Sequence, residues 1–354
     1  MTNPLQSPAL GRRHLAGGIV GVVLAQAGTV APARSQAADA TLRQLDGGLA
    51  YREIARWGTA QLNRILTVDI PAFSGVHVTY TPASNAVRLY RVTYPSVVPE
   101  QHNRRVLLSG LVAVPDAPAA PLRLVSYQHG TVYGRQEVPS FPENSPETQL
   151  MIAQFAGQGY ALIGADYLGM GESAEAQGYM VKASHQQSTT DLVPAARAVL
   201  ADLGRTSTGL FIAGWSQGGY VTMAMLERLE QTATPVSAAA TASAPVDLWA
   251  AFNGFLSFPR PSDASWITTI FILCAFSYEA YYGVPGLARS IIRPEHFDVA
   301  QRAYSGQAVD PAQVPTSAGA SATSCAKEAG SISVLIRPAC CTRMRRAMSD
   351  VRSI

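Results

Sequence analysis

The stretch FIAGWSQGGYVTMAM, residues 211–225, sets a serine among glycines where an apolar run meets a helix-like segment. Gly214-Trp215-Ser216-Gln217-Gly218 has the spacing of a nucleophile carried on a sharp strand-to-helix turn. Such a serine sits in a strained backbone conformation so that its hydroxyl projects above the sheet. The chain two residues to either side passes too close for side chains, which is why glycine stands there. The helix start then aims free backbone N–H groups at negative charge developing beside the serine. The rival reading, a structural glycine-rich turn, gives Ser216 no chemistry. The strand before it and the helix after it favour the nucleophile.

Two further segments end apolar runs in the same way. Gln128-His129-Gly130-Thr131 follows the run Leu122–Tyr127. A strand at this place supplies one backbone N–H to an oxyanion hole, and the residue after the nucleophile supplies the other. That nominates the N–H groups of Gln217 and Thr131. His129 lies on the oxyanion side and reads as a residue that orients the loop, not as the base. Asp166-Tyr167-Leu168-Gly169-Met170-Gly171-Glu172-Ser173 follows the run Tyr160–Ala165. Its glycines permit a tight loop, and Asp166 reads as a structural acceptor for backbone N–H groups within it.

The elements that must position these residues begin with Thr41–Leu66, which reads as a helix through Leu45, Leu49, Tyr51, Ile54, Trp57, Leu62 and Ile65. Val76–Tyr80, Ala86–Tyr94 and Arg105–Val114 read as strands, being β-branched or aromatic and bounded by turn residues. After the linker Asp116–Pro121 and the Leu122–Tyr127 strand, the rhythm becomes alternating. Helices at Glu147–Gln158, Thr189–Leu203 and Gly218–Gln231 separate strands at Tyr160–Ala165, Gly209–Gly214 and Val236–Ala242. This order predicts an α/β chain with a mostly parallel, doubly wound sheet and antiparallel strands along one edge. Trp249–Tyr304 breaks the rhythm. Its segment Trp266–Tyr282 is almost wholly apolar or aromatic, but it is short for a membrane helix and holds Glu279. It reads as a buried or ligand-facing helix of an inserted cap.

GWSQGG, YQHGT and ADYLGMGES, in this order, resemble the α/β-hydrolase superfamily, and in particular secreted bacterial esterases and lipases similar to the secretory lipase (lipase A-like) group. The resemblance spans roughly residues 74–247. It implies an α/β-hydrolase fold in which Ser216 attacks a carboxylic ester, Gln217 and Thr131 hold the oxyanion, and the cap carries much of the acyl pocket. It implies neither metal nor organic cofactor. The substrate would be a small-molecule or lipid ester, with Ile267, Ile270, Phe271, Leu273, Phe276, Tyr278, Tyr281 and Tyr282 favouring hydrophobic esters unless they serve only packing. The corresponding domain limits are 41–248 for the core and 249–312 for the cap. A serine peptidase or an acyltransferase on the same fold is the alternative within enzymes.

A serine nucleophile needs a base, and the base needs an acid to hold its tautomer. In this fold the chain order is Ser, then Asp or Glu, then His. The six histidines are at 14, 77, 102, 129, 185 and 296, and only His296 follows Ser216. It sits in ARSIIRPEHFDVAQRAY, which reads as cap. Residues 315–354 hold three of the four cysteines, five arginines, one leucine and no aromatic residue. That is atypical for the end of a doubly wound sheet, so 313–354 reads as an altered tail, from a frameshift or truncation, that lacks the final strands with their Asp and His. One alternative keeps the tail as native and makes His296 the base. Another is a catalytically impaired or non-catalytic chain.

Composition sets the remaining bounds. The chain has 354 residues, 47% hydrophobic and 14% charged, with a net charge of +3. The apolar share supports a substantial core, the charged share is well below the roughly 25% of an average soluble protein, and nothing points to nucleic acid. Residues 1–37 read as an export signal: Arg12, Arg13 and His14 precede the apolar run Leu15–Ala27, which is too short to span a bilayer. The adjacent arginines loosely match a twin-arginine signal. The expected location is secreted or periplasmic, with no stable membrane span in the mature chain. Cys274, Cys325, Cys340 and Cys341 show no metal-ligand spacing and fix no disulfide pairing.

Overall fold

The computed structural model describes residues 41–117, 121–258 and 266–307. The expected export signal, the atypical tail and the end of the expected cap lie outside them. In chain order the elements are strands β1 (Arg43–Gln44) and β2 (Ala50–Trp57), helices α1 (Thr59–Arg64) and α2 (Ile70–Ser74), and strands β3 (Val87–Val98), β4 (Arg104–Pro115) and β5 (Leu122–Gln128). Then come α3 (Pro146–Gln154), β6 (Ala161–Ala165), α4 (Lys182–Asp202), β7 (Ser207–Trp215), α5 (Gln217–Gln231) and β8 (Ala238–Ala242). Four helices follow: α6 (Leu248–Ser257), α7 (Trp266–Tyr281), α8 (Leu287–Ile291) and α9 (Phe297–Tyr304).

All eight strands join one sheet in the order β1-β2-β3-β4-β6-β5-β7-β8. The pairs from β1 through β4 to β6 are antiparallel, and β6, β5, β7 and β8 run parallel. Successive strand residues serve opposite faces. Leu89, Leu111, Ala113, Val125 and Leu162 pack with Leu62 of α1, Ile70 of α2 and Ile152 of α3. Tyr90, Val112, Leu124 and Ile163 pack with Leu192 of α4 and Val221 and Met225 of α5. Helices therefore cover both faces, as parallel strands require. The chain leaves β5 for β6 on one side and returns to β7 on the other. The ends of β5 and β7 thus flank a topological switch point, where ligands bind in sheets of this kind.

Two sequence expectations fail. The helix expected over Thr41–Leu66 is β1, β2 and a short α1. In β2, Tyr51 is buried, then a bulge between Glu53 and Ala55 shifts the register before Ala55 and Trp57 are buried. The extra residue turns a period of two into spacings that imitate a helical period. Val76–Tyr80 forms no strand, and Val76 and Val78 are exposed. The free edge of β3 that it would have joined is taken by β2.

α7 is buried on nearly every side; Phe271, Cys274, Ala275 and Ser277 are fully enclosed. Its Ser277 hydroxyl donates to the Gln177 carbonyl (2.7 Å) and accepts from the Tyr179 N–H (2.9 Å). The hydroxyl of Tyr304, in α9, donates to Gln177 as well (2.7 Å). Glu279 accepts the N–H groups of Gly286 and Ala288, so the one charge in this apolar stretch caps the start of α8. Among the described residues no helix is long and apolar enough to cross a membrane.

Candidate active site

Ser216 joins β7 to α5 with φ 55° and ψ −123°, a conformation that costs a non-glycine residue of order 1–3 kcal/mol. Its surroundings enforce it. A Cβ on Gly218 would lie 1.9 Å from the Gln128 carbonyl oxygen, and one on Gly214 would lie 2.4 Å from the Gly218 oxygen. The Ser216 N–H donates to the Ala242 carbonyl at the end of β8 (2.9 Å). The Ser216 hydroxyl has no hydrogen-bond partner among the described residues, and the residue is partly exposed. Gln217 begins α5, where N–H groups have no acceptor within the helix.

Strand register sets Gln128 of β5 beside Gly214 of β7, which brings the turn 128–131 alongside the serine turn. The backbone groups of that turn are nearly all engaged. The His129 carbonyl accepts from the Tyr167 hydroxyl (3.0 Å). The Gly130 N–H donates to both carboxylate oxygens of Glu147 (3.0 and 3.1 Å). The Gly130 carbonyl lies 2.8 Å from His129 Nδ1. The Thr131 N–H has no acceptor among the described residues. The Thr131 hydroxyl meets the Tyr179 hydroxyl (2.9 Å), which ties this turn to the loop held by α7.

His129 is buried, and desolvation holds its pKa down at about 4, against weaker support from the Gly130 and Asp166 carbonyls. A neutral ring has one N–H, and the short contact to Gly130 identifies it as Nδ1–H. Nε2 lies 3.4 Å from the Asp166 carbonyl, so neither ring nitrogen is turned to Ser216. The ring stacks on Tyr167 (centroids 4.1 Å apart), which meets His185 edge-on (4.8 Å), which in turn faces Tyr220 of α5 (6.4 Å). Tyr167 keeps φ at 71° to make these contacts. Burial also holds His185 near pKa 3, and its Nε2 has no hydrogen-bond partner among the described residues.

Asp166 accepts from the Ser109 hydroxyl (2.6 Å) and the Ser140 N–H (2.8 Å), so it is a structural acceptor, but for neighbouring segments and not for the N–H groups of its own loop as expected. Burial raises its pKa to about 6 despite those bonds. Gly171, at φ 60°, is required beside it, because a Cβ there would lie 2.1 Å from Asp166 Oδ2. His296 precedes α9, and its ring makes no hydrogen bond among the described residues. No histidine or carboxylate is hydrogen-bonded to Ser216 among them either.

Sequence reasoning missed Glu147. Besides Gly130 it accepts from the Tyr127 hydroxyl at the end of β5 (2.7 Å), and the nearby Trp215 indole favours its charged form. The residue keeps some exposure, but its carboxylate is enclosed by these groups, and burial raises its pKa to about 7. Ser145-Pro146-Glu147 reads as an ordinary helix start, with the Ser145 hydroxyl capping the Thr148 N–H (3.2 Å). The space beside Gln217 is small: a cavity of about 10 Å³, roughly one water, lined by His129, Tyr167, Tyr179 and His185 among others. The apolar α7 residues, read from sequence as either an acyl pocket or packing, are packed into the core. No group of three metal-binding side chains occurs among the described residues.

A model of the prolyl oligopeptidase family matches residues 146–266, a segment that contains Ser216. No curated protein matches in sequence. Among solved structures, a Legionella pneumophila protein superposes with a TM-score of 0.67 at 24% identity, covering 86% of this chain and 75% of that one. The rice cell wall degrading esterase LipA from Xanthomonas oryzae gives 0.68 at 17% identity, over 88% and 78%. Candida antarctica lipase A is more distant, at 0.46 and 16% identity over 61% and 50%. With its mixed sheet, its flanking helices and a glycine-bounded serine between β7 and α5, the chain has the α/β-hydrolase fold.

Proposed function

We propose that this protein is a serine hydrolase that cleaves carboxylic esters through an acyl-enzyme on Ser216. The observation that carries the reading is the Ser216 turn. A strained serine whose hydroxyl is unengaged among the described residues stands between glycines that leave no room for a Cβ, beside a turn whose Thr131 N–H is also unengaged among them. Ser216 Oγ attacks the acyl carbon and loses its proton to solvent, while the ester C–O bond breaks and the alcohol leaves protonated. The Gln217 and Thr131 N–H groups hold the oxyanion, and water then releases the acyl group. The reading needs neither metal nor organic cofactor. The substrate is a small-molecule or lipid ester, a class supported by the likeness to an esterase. The export signal read at residues 1–37 supports a secreted or periplasmic protein.

A proton acceptor for Ser216 is not among the hydrogen bonds of the described residues. Reaction through the elbow and oxyanion donors alone retains on the order of 10³–10⁴-fold over water, as in triads that have lost a member. A second reading, a serine peptidase, is favoured by the prolyl oligopeptidase match. A panel of p-nitrophenyl esters and matched anilides, run on the wild type and on Ser216→Ala, tests both. Ester turnover that vanishes in Ser216→Ala supports the esterase. Preference for the anilide supports the peptidase, and equal rates in the two proteins refute both.

A further inference from the structure

Glu147 is an enclosed acid that the proposed chemistry does not use. Its carboxylate accepts from Tyr127 at the end of β5 and from Gly130 in the oxyanion turn, and the indole of Trp215, immediately before the nucleophile, lies against the same Gly130. We propose that Glu147 is a positioning residue that clamps the oxyanion turn to the nucleophile turn and so fixes the direction of the Thr131 N–H. The inference rests on the serine-hydrolase reading above.

Peptide planarity fixes the direction of that N–H. In a trans peptide the N–H and C=O point in opposite directions. The His129–Gly130 peptide is held at both ends, its carbonyl by Tyr167 and its N–H by Glu147. The next peptide turns its carbonyl to the His129 ring, which sends the Thr131 N–H the other way. Gly130 is the hinge between these peptides, and glycine resists rotation least. Glycine is also what lets the clamp close, because a Cβ at 130 would lie 3.2 Å from Trp215 Nε1 and 3.3 Å from Glu147 Oε2. The residue that admits the clamp therefore needs it. Without Glu147 the Gly130 N–H loses its acceptor, and rotation of that peptide carries the Thr131 N–H away from its line.

The clamp is also sensitive to charge. An ionised carboxylate accepts from both Tyr127 and Gly130, whereas a protonated one gives an oxygen to its own proton. The titratable groups that face it are Tyr127 and, farther off, Tyr167, both pushed above the ordinary tyrosine range by burial. His129, across Gly130, stays neutral down to about pH 4. No charged side chain pairs with Glu147 among the described residues. Glu147 is thus the group of this cluster that changes charge near neutrality, and the clamp loosens as pH falls through about 7.

The test uses the full chain, its Glu147→Gln variant and Ser216→Ala. With a p-nitrophenyl ester at pH 8, Glu147→Gln is expected to lower kcat on the order of tenfold with KM within about twofold, because the interaction aimed is one made in the transition state. The ratio of wild type to variant should shrink toward 1 below pH 6, which a merely structural acid would not produce. Separately, the Trp215 indole N–H resonance, assigned by Trp215→Phe among the four tryptophans, should titrate near pH 7 in the wild type and not in Glu147→Gln. Should Glu147→Gln fail to fold, Tyr127→Phe removes one donor and should move that midpoint upward. An unchanged kcat, a rate ratio constant from pH 5.5 to 8.5, or a flat indole resonance overturns the clamp. If Ser216→Ala keeps the wild-type rate, the serine reading fails instead. The resonance then decides the clamp alone, titration supporting it and a flat response overturning it.

Discussion

β7 and β8 lie side by side, run parallel and each lead into a helix, yet their surroundings differ completely. At the end of β7 the chain is held from every direction: glycines with no room for a methyl group, a carbonyl of β8 accepting the Ser216 N–H, and a neighbouring turn with one free N–H. β8 is an edge among the described strands, and all five of its residues are exposed. Beyond it Val246 is 62% exposed and Phe258 73%. Rigid scaffolding is concentrated where a transition state would be held. The side of the sheet on which this fold places its acid and base shows an open strand among the described residues.

Perturbing each side should therefore have very different consequences. The largest effect is expected for Ser216→Ala, which should abolish acyl-enzyme formation and leave only the turnover that binding and the oxyanion donors supply, with the thermal melt unchanged. Gly218→Ala comes next. Its methyl group would press on the Gln128 backbone, so it should cost roughly 3 kcal/mol in denaturant unfolding and take activity with it. On the β8 side, Ala240→Lys should stay within about 0.5 kcal/mol of wild type, as exposed positions do. A loss of several kcal/mol there would show that β8 is covered in solution, and the contrast would collapse.

A subtler effect concerns pH. The folded pKa of Glu147, about 7, lies above that of an unfolded glutamate near 4.5. Folding thus favours its protonated form, and the stability it contributes is present below pH 4.5 and lost as pH rises toward 7. Glu147→Gln has no such loss, so its Tm relative to wild type should climb between pH 4.5 and 7 and level off above. His129 and His185, whose folded pKa values are depressed, act in the opposite direction up to about pH 6.5, but equally in both proteins. A Tm difference independent of pH would show that the Glu147 carboxylate is not enclosed.

Much of the site side was legible because its chemistry is local. The serine turn demands glycines at fixed offsets, and the strand ends at Gln128 and Asp166 announce themselves by where apolar runs stop. Gln217 and Thr131 are nominated by their places after two strand ends, which the register of β5 and β7 sets side by side. Glu147 was not legible, since nothing near it in sequence hints that Gly130 and Trp215 converge on its carboxylate. The β2 bulge hid a strand for a related reason: one inserted residue changes the local period, and only the partner strand reveals which residue is extra. Val76–Tyr80 had the composition of a strand, but pairing needs a free edge, and composition cannot say whether one remains.

The account turns on Ser216 being a nucleophile, and covalent capture tests that most directly. The protein is incubated with a fluorophosphonate and the adduct located by mass spectrometry of its peptides. One adduct on Ser216, absent from Ser216→Ala and slowed in Glu147→Gln, is the predicted result. Equal labelling of wild type and Ser216→Ala, or an adduct on another residue, would contradict it.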